Sequence, residues 1–232
     1  MKHIFILFAF VCNLFLYSCQ CSYCGNVNCE ASCCDSCNEL SALLYEQFYF
    51  TNDSSYLDSS LMVIDRALQE CSDSNFHLIL SMRKLSILSQ KCEYGRAVSC
   101  IDSIGLKDKL SQYPYLQSIY HKRFLAMQYH KNEDYISQDS CLKLIVDELD
   151  TYISDNKESI DSLLGERDAS SMEKSRFDLP MKQYFYYLTI LKGKQEIDLV
   201  VDSLRQIGTY NFDYLEILRN IYDNDFMVFS GL

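Results

Sequence analysis

The sequence contains no tryptophan, and among its 232 residues there are only 2 prolines and 7 glycines. Sandwiches and barrels reverse direction every few residues and draw on Gly and Pro to do so. Scarcity of both argues against those folds and for helices joined by short polar turns. Basic residues are also short: 21 Lys and Arg face 32 Asp and Glu, for a formal net charge of −11. With no basic run, the chain has no electrostatic footprint for a phosphate backbone, so no nucleic-acid partner is expected. The same acidity works against binding anionic lipid through the folded surface.

Catalytic signatures are missing too. HExxH, GxSxG, P-loop and GxGxxG patterns do not occur. Ser81-x-x-Lys84 and Ser171-x-x-Lys174 have the SxxK spacing of serine acylases, but no KTG element accompanies them. Histidine is limited to His3, His77, His121 and His130, and each of the last three reads as a surface or capping residue. The acidic pairs Asp147 and Asp150, and Asp223 and Asp225, read as solvated charge at helix ends. No cofactor is expected, and the chain reads as a non-enzyme.

What is present begins at the amino terminus. Lys2 and His3 precede a nearly unbroken apolar run, Ile4 to Leu16, closed by Leu16-Tyr17-Ser18-Cys19. A charged start, an apolar stretch and a small residue before the cut are the parts of a secretory signal. The run is shorter than a comfortable membrane span, which favours removal over retention. Its ending resembles the lipobox of bacterial lipoproteins, an aliphatic residue followed two positions later by a small residue and then Cys. That resemblance implies that residues 1–18 are cleaved, that Cys19 is lipidated, and that the protein is held at the membrane of the bacterial cell envelope by its N-terminal lipid. Two or more acyl chains anchor stably where one alone does not. The alternative is a plain secretory signal and a secreted protein.

Cysteine is plentiful, with 12 in the chain. Behind Cys19 come Cys21, Cys24, Cys29, Cys33, Cys34 and Cys37. Six cysteines in an exported segment suggest disulfides, in any of fifteen connectivities. Residues 19–37 have almost no apolar side chains otherwise, so the segment reads as an irregular, cross-linked tether. Cys21-x-x-Cys24 and Cys34-x-x-Cys37 are also a ligand set suited to tetrahedral zinc or an iron–sulfur cluster. A redox-active CxxC is a third reading, although no βαβ pattern follows either pair. Cys71, Cys92, Cys100 and Cys141 are scattered through helical patterns and read as unpaired small hydrophobes.

From Asn38 onward the apolar period is helical. Leu40, Leu43, Leu44 and Phe48 form one stripe; Leu57, Leu61, Ile64, Ala67 and Leu68 the next; Leu78, Met82, Leu85 and Leu88 a third. Ala97, Ile101 and Ile104 continue it, followed by a helix over 115–129 and another over 135–152. No β-alternation is visible. Three junctions resemble one another: Asp53-Ser-Ser-Tyr56, Lys91-Cys-Glu-Tyr94 and Lys131-Asn-Glu-Asp-Tyr135 are each a polar turn ending in Tyr. Tyr56, Tyr94 and Tyr135 fall 38 and 41 residues apart, a period expected of stacked helical hairpins.

The run from Leu85 to Ile101 resembles the centre of a tetratricopeptide repeat, in which the turn is followed by an aromatic residue and then by Ala three positions on. Tyr94 and Ala97 match, whereas Ser59 and Gln138 stand where Ala97 does. The resemblance implies an all-α fold, antiparallel hairpins stacked as a short α-solenoid over residues 38–152. Residues 153–232 then supply capping helices, among them a hairpin over 180–192 and 197–207 and a closing helix over 210–229. Such a stack offers a groove for another protein or peptide, and a protein- or peptide-binding scaffold is the function expected. A metal-binding or redox protein built on the CxxC cluster, and a glycan-binding accessory lipoprotein, are the alternatives. The string Tyr184-Phe185-Tyr186-Tyr187 could line a groove, but on a helix half of it must face the core.

Overall fold

Between Val27 and Thr51 there is neither glycine nor proline, and the chain runs as one helix, α1 (Val27–Thr51). The computed structural model describes residues 27–71, 74–104, 113–165, 169–207, 211–221 and 226–227. Among them there are eleven helices and no strand. The expected all-α class is therefore observed. The helices fall into two compact units, whose described residues are 27–71 and 74–87 in the first and 88 onward in the second.

In the first unit α1 packs on α2 (Ser55–Glu70), and α3 (Ser74–Gln90) follows, its last three residues belonging to the second unit. The buried stripe of α1 is Cys34, Cys37, Ser41 and Leu44, at helical spacing. Leu43, expected in the core, is 45% exposed. Small side chains let α2 come close, and Ser60 of α2 donates its hydroxyl to the carbonyl of Ser41 at 2.8 Å. The α2 face opposite holds Leu57, Leu61, Ile64 and Ala67. Burying each of the larger ones stabilises the pair by about 1.5–3 kcal/mol. From α3, Arg83 donates to the backbone and side-chain oxygens of Asn38 at 2.9 and 2.8 Å, and Lys84 pairs with Asp65 at 2.6 Å.

The second unit is a sequential stack. α4 (Tyr94–Ile104) packs on α5 (Leu116–Lys131), and α5 on α6 (Tyr135–Asp155). Two short helices, α7 (Lys157–Leu164) and α8 (Ala169–Glu173), intervene before α9 (Asp178–Lys192) packs on α6. α10 (Lys194–Ile207) and α11 (Phe212–Arg219) complete it. Pro180 lies in the first turn of α9, where its missing N–H costs nothing. Ala97 and Ile101, Gln138 and Leu142, and Ile197 and Val201 are buried i, i+4 pairs on α4, α6 and α10 respectively. The closing helix is shorter than the expected 210–229. It ends at Arg219, where Asn220 turns its amide back onto the carbonyl of Glu216 at 2.9 Å. The side chain of Asn competes with the helix for backbone partners, and three more Asp and Asn follow within five residues.

Four hairpin turns share one device, a residue with positive φ one or two positions after a helix ends. Asn52 has φ 55° and donates its N–H to Phe48 at 2.7 Å. Cys92, at φ 54°, donates to Ser89 at 2.9 Å, while Glu93 donates to Leu88 at 2.8 Å. Glu133, at φ 60°, donates to His130 at 3.0 Å, while Asp134 donates to Tyr129 at 2.9 Å. Gly193 is the fourth, with φ 88° and ψ 164°. In the first three an acidic residue follows, at the positive end of the next helix dipole. Asp53 accepts from the N–H of Ser55 at 2.9 Å and Asp134 from that of Ser137 at 3.1 Å. These bonds hold both carboxyls below the ordinary carboxylate value of 3.8.

Two outcomes follow from the turns. Gly193 occupies backbone space that is essentially closed to other residues, so Gly193→Ala should destabilise the chain by about 1–3 kcal/mol in urea titration. Asp134 has a lower pKa folded than unfolded, so its cap contributes above the unfolded pKa and is lost as pH falls through the folded one. The stability difference between wild type and Asp134→Ala should therefore be full at neutral pH and narrow below pH 3.8, as read by urea titration across pH.

Candidate functional site

Of the cysteines expected to act together, Cys34 and Cys37 are those whose side chains the structure describes. Cys19, Cys21 and Cys24 lie outside the described residues. Cys29 and Cys33 fall in the first two turns of α1, so residues 27–37 are helical where an irregular segment was expected. The reason is local: Glu30, Ala31 and four cysteines offer no helix breaker. Cys34 forms a disulfide with Cys71, across a Cα separation of 5.8 Å and 37 residues of chain. This corrects the reading of Cys71 as unpaired: it ends α2, the antiparallel partner of α1, and so comes level with Cys34. Cys37 and Cys100 are buried, Cys141 half-buried and Cys92 exposed at its turn. Beside the disulfide, a ring nitrogen of His77 contacts the carbonyl of Cys71.

Ser81 is buried, and Lys84 is committed to Asp65. A Ser-Asp-Asn run does occur at 154–156, at the end of α6 in the other unit. Asp147 and Asp150 are exposed within α6 and not at its end. The aromatic string turns inward: Phe185, Tyr186 and Tyr187 are buried and Tyr184 half-buried. Burial raises the hydroxyl pKa of Tyr187, and likewise that of Tyr120 on α5. Arg123 lies over the ring of Tyr186, 5.7 Å from its centre. Among the described residues no group of three or more His, Cys, Asp or Glu could hold a metal ion. No helix among them is long and apolar enough to cross a membrane.

One place in the second unit gathers polar groups from several helices around a turn of chain at residues 226–227. The hydroxyls of Ser89 at the end of α3 and Tyr94 at the start of α4 both donate to the carbonyl of Met227, at 3.2 and 3.4 Å. Next to it the ring of Phe226 meets that of His130 edge to face, with centres 6.3 Å apart. His130 is itself fixed. Its Nδ1 donates to the Gln138 amide oxygen at 3.0 Å, and its ring packs against Tyr135 at 5.6 Å. The turn Cys92–Glu93 brings Ser89 and Tyr94 side by side, and the turn Glu133–Asp134 does the same for His130 and Gln138. Two hydroxyl donors on one carbonyl, beside an aromatic edge, recognise main chain and an apolar side chain; they hold no nucleophile–base pair. The sequence pointed to Tyr94 and Gln138 as repeat positions, but nothing in it pointed to Phe226 or Met227.

Comparison with protein-family models, curated proteins and solved structures finds no match.

The disulfide offers a direct measurement. Closing a loop of 37 residues should contribute about 4 kcal/mol through the unfolded state. Cys71→Ser should lower the unfolding free energy by that order in guanidinium titration, whereas Cys92→Ser at an exposed turn should change it little. Equal effects would contradict the pairing.

Proposed function

We propose that this chain is a membrane-anchored lipoprotein of the bacterial cell envelope whose tetratricopeptide-like helical hairpins bind another protein or peptide without catalysing a reaction. The observation that carries this reading is the recurrence of one hairpin geometry. A positive-φ residue closes a helix at Cys92, Glu133 and Gly193, and a buried i, i+4 pair begins on the following helix each time. Stacked hairpins of this sort cannot bury their faces alone and present a row of helix faces to a ligand. In this reading Cys19 carries the lipid, and residues 19–37 link it to the repeats as a tether whose last eleven residues are helical.

Mass spectrometry of protein purified from membranes tests the anchor. A mature chain beginning at Cys19 and heavier by its acyl groups is expected, and Cys19→Ala should move the protein to the soluble fraction. An unacylated chain would overturn the anchor in favour of a secreted protein, and stoichiometric zinc or iron released by chelator would overturn the scaffold in favour of a metal protein.

A further inference from the structure

We infer that Phe226 and Met227 occupy the peptide site of this protein in cis, as a displaceable stand-in for a short peptide turn carrying an aromatic residue followed by an aliphatic one. The inference rests on the peptide-binding reading and deepens it by naming the site and the chemistry of its ligand. All participants belong to the second unit.

The contacts are those by which a groove holds a foreign peptide. Ser89 and Tyr94 reach the main-chain carbonyl of Met227 and so are indifferent to its side chain. His130 meets the ring of Phe226 and supplies the side-chain selectivity. The receiving groups are ordered without help from the segment, since Gln138 and Tyr135 orient His130 and the Schellman turn at Cys92 fixes Ser89 and Tyr94. Phe226 and Met227 follow a helix that stops at Arg219, and both are only half-buried. Each hydrogen bond from the neutral hydroxyls of Ser89 and Tyr94 contributes modestly. Tethering compensates, because a linked ligand acts at an effective concentration on the order of millimolar. A peptide of the same chemistry supplied by a partner therefore competes with the cis segment and must exceed its grip.

The test is binding of a fluorescein-labelled peptide, residues 222–230, to the full chain by fluorescence anisotropy. Releasing the cis competitor raises the fraction of open sites, so Phe226→Ala should bind the peptide about ten-fold more tightly than wild type. Adding His130→Ala to that variant should weaken binding about ten-fold again. On wild type itself, saturating peptide should speed chymotryptic cleavage after Phe226, which needs no variant to fold. Equal affinity for wild type and Phe226→Ala, or unchanged cleavage, would overturn the inference. If a membrane partner is then captured equally by both chains, the scaffold reading survives alone. If neither peptide nor partner is held by either chain, both readings fall.

Discussion

Four helix pairs in this protein depend on reversing the chain in one to three residues, and that reversal uses a backbone angle that side chains resist. At Gly193 the missing Cβ removes the resistance. At Asn52, Cys92 and Glu133 the strain is accepted and offset. Amide groups of the turn are tied back to carbonyls left open by the ending helix, and an acidic residue stands at the start of the next one. Once the reversal is made, two helices lie antiparallel and their apolar faces meet. The core pairs Ala97 and Ile101, Gln138 and Leu142, and Ile197 and Val201 are consequences of where the turns fall.

The same turns place polar groups at the ends of helices, next to each other in space. Ser89 and Tyr94 flank one turn, and His130 and Gln138 flank another. The contacts of Ser89, Tyr94 and His130 with residues 226–227 are a by-product of that hairpin geometry. In the first unit the corresponding element is the disulfide. Cys34 lies on a stripe of small residues that lets α2 approach, and Cys71 ends that helix, so the bridge clamps the open end of the hairpin opposite the turn at Asn52.

Much of the helical layout was legible because it is written in near-neighbour periodicity. The stripes Leu57, Leu61, Ile64 and Ala67, and Ala97 and Ile101, are buried as their spacing required. Helix α1 was misread for a physical reason. Its inward residues are Cys34, Cys37 and Ser41, which pattern as polar or cross-linking residues, while Leu43, a strong hydrophobic signal, stays exposed. The three junction tyrosines show the other limit. They are alike in sequence, yet Tyr94 is 1% exposed and Tyr135 56%, because only tertiary packing decides what covers a helix start. Of the candidate site, Tyr94 and Gln138 were legible as repeat positions, and their joint use was not.

By itself the amino-acid sequence determined the all-helical class, the positions of three of the hairpin turns and the acidic character of the chain. Each follows from composition or from interactions within a few residues. Tertiary structure alone decided that Cys34 pairs with Cys71 and that Tyr94 meets the carbonyl of Met227, 133 residues away. Such contacts carry no local signature. A thiol or a hydroxyl is competent for many partners, and the one it takes is the one that the packing of the intervening helices brings within reach.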